Sequence, residues 1–166
     1  LAFAPFSPED TLTPAPPRPV SRASGDFAPL PYSRAEVEAV GQAFKGDIAA
    51  GNFATAARFR AVAGQYGIIH LATHGVADNL EGDYPYLAFS QTQDSAGEGR
   101  LYIQDIYTLK LNADMVVLSA CETALGDIRG SEGVFGLQRA FKMAGVKKMI
   151  VSLWQVPDKE TAELMT

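Results

Sequence analysis

Apolar positions along the chain fall into two patterns, short unbroken runs and helically spaced stripes. Ile68-Ile69-His70-Leu71-Ala72-Thr73-His74-Gly75, Met115-Val116-Val117-Leu118-Ser119 and Met149-Ile150-Val151-Ser152-Leu153-Trp154 are runs of strand length, and each reads as a buried strand. Leu1 to Ala4 and Tyr86 to Ser90 read as two further strands. Val37, Val40, Ala43 and Phe44 recur at helical spacing behind Ser33 and Glu36, which have the spacing of a capping box. Helices are also predicted from about Thr55 to Ala63, from Ile103 to Leu109 and from Val134 to Ala144, with Gly145 as the stop. Asp158 reads as the N-cap of a last helix that still runs where the sequence ends, so the expectation is a domain that continues. Gln91 to Arg100 and Gly126 to Gly133 read as loops.

Buried strands alternating with helices predict an α/β fold, with a mainly parallel sheet and helices on both faces. Eight of the 10 prolines lie in residues 1–31, so that part reads as a strand followed by a long extended loop, with residues 32–166 as the domain proper. Function in such sheets gathers at the carboxyl ends of the strands. His74 and Cys121 both stand just past such an end, where parallel neighbours deliver them to one edge. An imidazole beside a thiol can take its proton and later protonate a leaving amine. The N–H groups of Gly75 and Cys121 are candidates for holding an oxyanion, and Ser119 and Ala120 are small enough to leave room for a substrate. The same residues admit a plain structural reading. Free cysteine is among the most buried residue types, and a histidine beside a glycine can simply satisfy a turn.

Composition narrows the alternatives. Among 166 residues, 47% are apolar and 20% charged, which excludes a disordered or fibrous chain. The net charge of −5 argues against nucleic acid as a partner. No apolar run approaches the ~20 residues that span a bilayer, and Leu1-Ala2-Phe3-Ala4 lacks the basic flank of a signal peptide. A single cysteine allows no internal disulfide and no closed cysteine zinc site, and suits a reducing compartment, the cytoplasm by default. No cofactor or metal is implied: His70 lies four residues before His74 without a carboxylate at ligand spacing, and reads as a buried, hydrogen-bonded strand histidine. There is no G-x-S-x-G elbow, and no lysine follows Gly126 to Gly133 as a P-loop requires.

Five blocks in order resemble the CHAT domain: Ile69 to Gly75, Val116 to Gly126, Gly130-Ser131-Glu132-Gly133-Val134, Ala140-Phe141 with Ala144-Gly145, and Ser152 to Val156 with Asp158. The resemblance covers roughly residues 30–166 and implies a three-layer caspase-like fold, related to caspases and separases and commonly fused to tetratricopeptide repeats. It implies a cysteine endopeptidase acting on a protein or peptide, with His74 as general base and acid and Cys121 as nucleophile. The family's Trp-Pro-Val-Asp block is Trp154-Gln155-Val156-Pro157-Asp158 here, with the proline moved. Ser152, Leu153 and Trp154 resemble the caspase strand that pairs with an extended substrate, with Trp154 either walling a specificity pocket or packing in the core. Glu122 and Asp158 could meet a basic substrate group, or serve the turn and the helix cap. Asp78, Asp83 and Asp127 are candidates for orienting His74. Gly130, Glu132 and Gly133 shape the loop and helix start after Cys121, where Glu132 suits the helix dipole. The alternative function is a catalytically silent interaction domain of the same fold.

Overall fold

The computed structural model describes residues 1–7, 27–76, 85–90, 99–119, 129–152 and 157–166, with only the backbone of 129–134. Its centre is a five-stranded parallel sheet, built from β1 (Ala2–Ala4), β2 (Ile48–Ala50), β3 (Ile68–Ala72), β7 (Met115–Ser119) and β8 (Lys148–Val151) in the order β2-β1-β3-β7-β8. A second, antiparallel sheet of three short strands, β4 (Gly75–Val76), β5 (Tyr86–Ala88) and β6 (Arg100–Tyr102), follows directly from the end of β3. Helix α1 (Ser33–Phe44) packs on β1 and β3, and α5 (Asp158–Met165) packs on α1. Helices α2 (Ala56–Val62), α3 (Ile103–Thr108) and α4 (Arg129–Met143) serve the other face.

Strand period explains the two layers. Successive side chains leave a strand on opposite faces. Phe3, Ile69, Leu71, Val116 and Leu118 therefore meet Phe59 of α2, Ile106 of α3 and Leu137 and Phe141 of α4 in the larger core. Ala2, Ala4 and Ala72 face Val37 of α1 in a smaller one. Phe3, Phe59 and Phe89 form a fully buried aromatic triple, with centroid distances of 5.7, 5.9 and 5.5 Å.

Several expectations are corrected. The run ending at Gly75 is not one strand: β3 stops at Ala72, and Gly75 opens the antiparallel sheet. Ser33 and Glu36 form no capping box. Tyr32 is the N-cap, Ser33 Oγ donates to the Leu30 carbonyl, and the Glu36 side chain turns inward. The buried stripe of α1 is Ser33, Glu36, Val37 and Gly41, while Phe44 is exposed. Helix α4 begins at Arg129, so Gly130 to Gly133 are helical rather than loop. Glycine costs a helix about 1 kcal/mol per residue, and the burial of Leu137, Ala140 and Phe141 against α3 and the sheet outweighs it. Arg100 belongs to β6 rather than to a loop. The run from Met149 is a sheet edge instead of a buried strand, since Lys148 and Ile150 are exposed. Pro157, not Asp158, is the N-cap of α5.

Gly145 shows how tightly the end of α4 is fixed. Its φ is +108°, and a Cβ there would lie 2.1 Å from the Leu111 carbonyl oxygen, which is backbone and cannot yield. Gly145→Ala is expected to destabilise the fold by more than ~1–2 kcal/mol, the cost of a left-handed conformation alone. An unchanged urea midpoint would contradict that placement.

Candidate active site

Neighbouring strands β3 and β7 run in register, with Ile68 opposite Met115 and Ala72 opposite Ser119, so both end on one edge of the sheet. His74 follows Ala72 by two residues. Its backbone is clamped to β5: the Ala88 N–H donates to the His74 carbonyl at 2.8 Å, and Thr73 Oγ1 donates to the Ala88 carbonyl. The imidazole is 4% exposed. It stacks on Phe27 (centroids 5.1 Å apart, 21° between planes) and meets Phe6 edge-on at 4.9 Å. Nε2–H donates to the Ala28 carbonyl at 2.8 Å. A carbonyl can only accept, so Nε2 carries the hydrogen and Nδ1 is the basic nitrogen of the neutral ring.

The Ala88-to-His74 bond also fixes Gly75. It makes Gly75 and Leu87 a non-hydrogen-bonded pair of the antiparallel ladder, so the Gly75 N–H points away from β5. Glycine at this position lets another backbone come close. The arrangement can hold a proton on a ring of fixed tautomer and offer a backbone donor beside it.

Residues 8–166 match the family model of the CHAT domain. The chain belongs to the CHAT domain family. A curated relative, tetratricopeptide repeat protein 28 of Mus musculus, is 26% identical over an alignment covering 79% of this chain. The chain spans only 7% of that relative's length. The five-stranded parallel sheet between helical layers is the three-layer, caspase-like α/β architecture expected for such a domain.

Four residues before His74, within β3 of the CHAT sheet, His70 is 3% exposed. Its Nε2 lies 2.6 Å from Oε1 of Glu36, which is 1% exposed. The buried, hydrogen-bonded reading of His70 thus holds, with a partner that the helical pattern of α1 disguised. Asp158, the first residue of α5, turns Oδ2 to the Tyr32 N–H at 2.8 Å. Burial pushes the Asp158 carboxyl above its usual range; the Tyr32 N–H opposes that, the Glu36 carboxylate adds to it, and His74 pulls it down. Ser119, opposite Ala72 at the end of β7, is 3% exposed, and its Oγ has no hydrogen-bond partner among the described residues.

Gly130, Glu132 and Gly133 lie in the first turns of α4, and Ser152 is half-buried just past β8. Cys121, Glu122, Leu153, Trp154, Asp78, Asp83 and Asp127 lie outside the described residues. Sequence reasoning missed Phe6, Phe27 and Ala28 at the site. Two aromatic residues in a proline-rich stretch carry no periodicity, and a backbone carbonyl has no signature in residue type. A hollow of about 460 Å³ beside Phe135, Arg139, Lys142 and Lys148 opens at the amino end of β8 and takes no part in this site. Among the described residues, no helix is long and apolar enough to cross a membrane.

Proposed function

We propose that this domain is a cysteine endopeptidase in which His74 activates Cys121. The observation that carries the reading is the hold on the imidazole: Nε2–H on the Ala28 carbonyl, at the carboxyl end of the strand paired with β7. Cys121 follows Ser119 by two residues, as His74 follows Ala72, so along the sequence the two stand equally far past the ends of paired strands.

In this mechanism Nδ1 of His74 takes the Cys121 thiol proton, and the thiolate sulfur attacks the scissile carbonyl carbon. The oxyanion is held by the N–H groups of Gly75 and Cys121. The imidazolium forms with its Nε2–H already on an acceptor, so the Ala28 carbonyl steadies the positive charge as an aspartate does in other triads. Nδ1–H then protonates the departing amine, leaving a thioester that a His74-activated water hydrolyses. An extended substrate adds beside Ser152, Leu153 and Trp154, with Trp154 walling the pocket for the residue before the scissile bond. Glu122, directly after the nucleophile, is the acidic group for a basic substrate side chain. The mouse relative, a tetratricopeptide repeat protein by name, supports a setting among such repeats, which would present the protein substrate. A lone thiol nucleophile fits the reducing cytoplasm.

The chain holds a single cysteine, so every alkylation event reports on Cys121. Free cysteine is only ~3% thiolate at pH 7. An activated Cys121 is expected to react with iodoacetamide about tenfold faster or more, and His74→Ala to abolish the excess. Cleavage of a protein substrate by the intact protein is expected to vanish in Cys121→Ala. A thiol no faster than free cysteine, in a protein that still binds its partners, would instead identify a catalytically silent interaction domain.

A further inference from the structure

The segment Phe27–Tyr32 brings two groups to His74, the stacked ring of Phe27 and the carbonyl of Ala28. What fixes that segment therefore fixes the tautomer of the ring. At its middle, the Leu30 N–H donates to the Phe6 carbonyl at 2.9 Å, and the Leu30 carbonyl accepts from Ser33 Oγ at 2.7 Å. At its far end, the Tyr32 N–H donates to Asp158 Oδ2 at 2.8 Å, across to a different helix. Pro29 and Pro31 have no N–H to offer and fix φ, so the segment has few anchors and moves as a stiff unit. A carboxylate acceptor makes a bond roughly twice as strong as a neutral one.

We infer that Asp158 is a positioning residue for His74, acting through the Tyr32 N–H and the Ala28 carbonyl. This deepens the peptidase reading and rests on it for its consequence in catalysis. Without the tie, the Ala28 carbonyl is no longer held against Nε2–H. The ring is then free to populate the Nδ1–H tautomer, which has its hydrogen where the basic lone pair must be. Asp158 touches neither substrate nor reacting atoms in this role.

The test exploits a chain with only two histidines. Nitrogen-15 NMR of the imidazoles of the whole protein should show His74 as the Nε2–H tautomer at neutral pH, with well-separated nitrogen shifts. In Asp158→Ala those two shifts should converge, while those of His70, held by Glu36, stay put. Asp158→Asn keeps an oxygen that can accept the Tyr32 N–H and should retain the wild-type tautomer. Tyr32→Pro removes the donor and leaves Asp158 intact; it also draws the φ of −95° at Tyr32 toward the roughly −65° of proline, and this variant should release His74 as well. Where Asp158→Ala does not fold, Tyr32→Pro decides. Cleavage should fall by up to ~10²-fold in the released variants and be restored in Asp158→Asn. Unchanged His74 shifts, or loosening of His70 and His74 together, would overturn the inference. A protein that cleaves nothing yet shows the Asp158-dependent tautomer would refute the peptidase reading and leave the positioning role standing.

Discussion

Substituting His74 by alanine is expected to lower cleavage by the intact protein about 10²–10⁴-fold, the range for losing a positioned acid–base group. The loss should fall on turnover, since the imidazole moves protons and binds no part of the extended substrate. It should exceed the loss from Asp158→Ala, which leaves the ring in place with its tautomer unfixed. The folded state should survive, since the bond from Nε2–H to the Ala28 carbonyl joins the ring to a loop segment and lies outside both hydrophobic cores. Steady-state kinetics beside a thermal melt would check both points. Turnover within threefold of wild type, in a folded protein, would remove His74 from the mechanism.

Glu36→Ala is expected to cost stability instead, by about 1–3 kcal/mol, the cost of leaving the buried ring nitrogen of His70 without its hydrogen-bond partner. Glu36 and His70 are 1% and 3% exposed, so neither is rescued by water when the other is lost. A double replacement by apolar residues of similar volume, Glu36→Met with His70→Leu, should recover most of that loss, because the desolvation of both polar groups disappears together. Urea titrations of the single and double variants would test this. A single-variant loss below ~1 kcal/mol would show that the pair is dispensable. The pair also links α1, whose first turn follows the Phe27–Tyr32 segment, to β3, which ends two residues before His74.

Much of this architecture could be read from residue order. Three apolar runs located β3, β7 and β8; the first two are buried strands of a parallel sheet, which carry little else, and the third is the sheet's edge. The placement of His74 past the end of β3 followed from the glycine behind it. What escaped was structure without periodicity. Ile48–Ala50 is a three-residue strand with its one large side chain exposed, too short for any pattern to emerge. The stripe of α1 misled for a physical reason: Val37 is buried, but the inward face is completed by Ser33, Glu36 and Gly41, a polar set that only a facing His70 makes sense of. Likewise, the residues that orient His74 come from the proline-rich stretch. Their contribution is a carbonyl and a ring face, and composition encodes neither.

The place of β1 has a consequence for how the protein is made. Ala2 to Ala4 occupy the second position of the sheet, paired on one side with Ile48–Ala50 and on the other with His70 and Leu71. During synthesis this strand leaves the ribosome well ahead of both partners, and Phe3, whose ring ends at the centre of the aromatic triple, must wait in water until they arrive. Pairing so remote along the chain closes slowly. The nascent chain would then most need a chaperone between the emergence of Phe3 and that of Leu71.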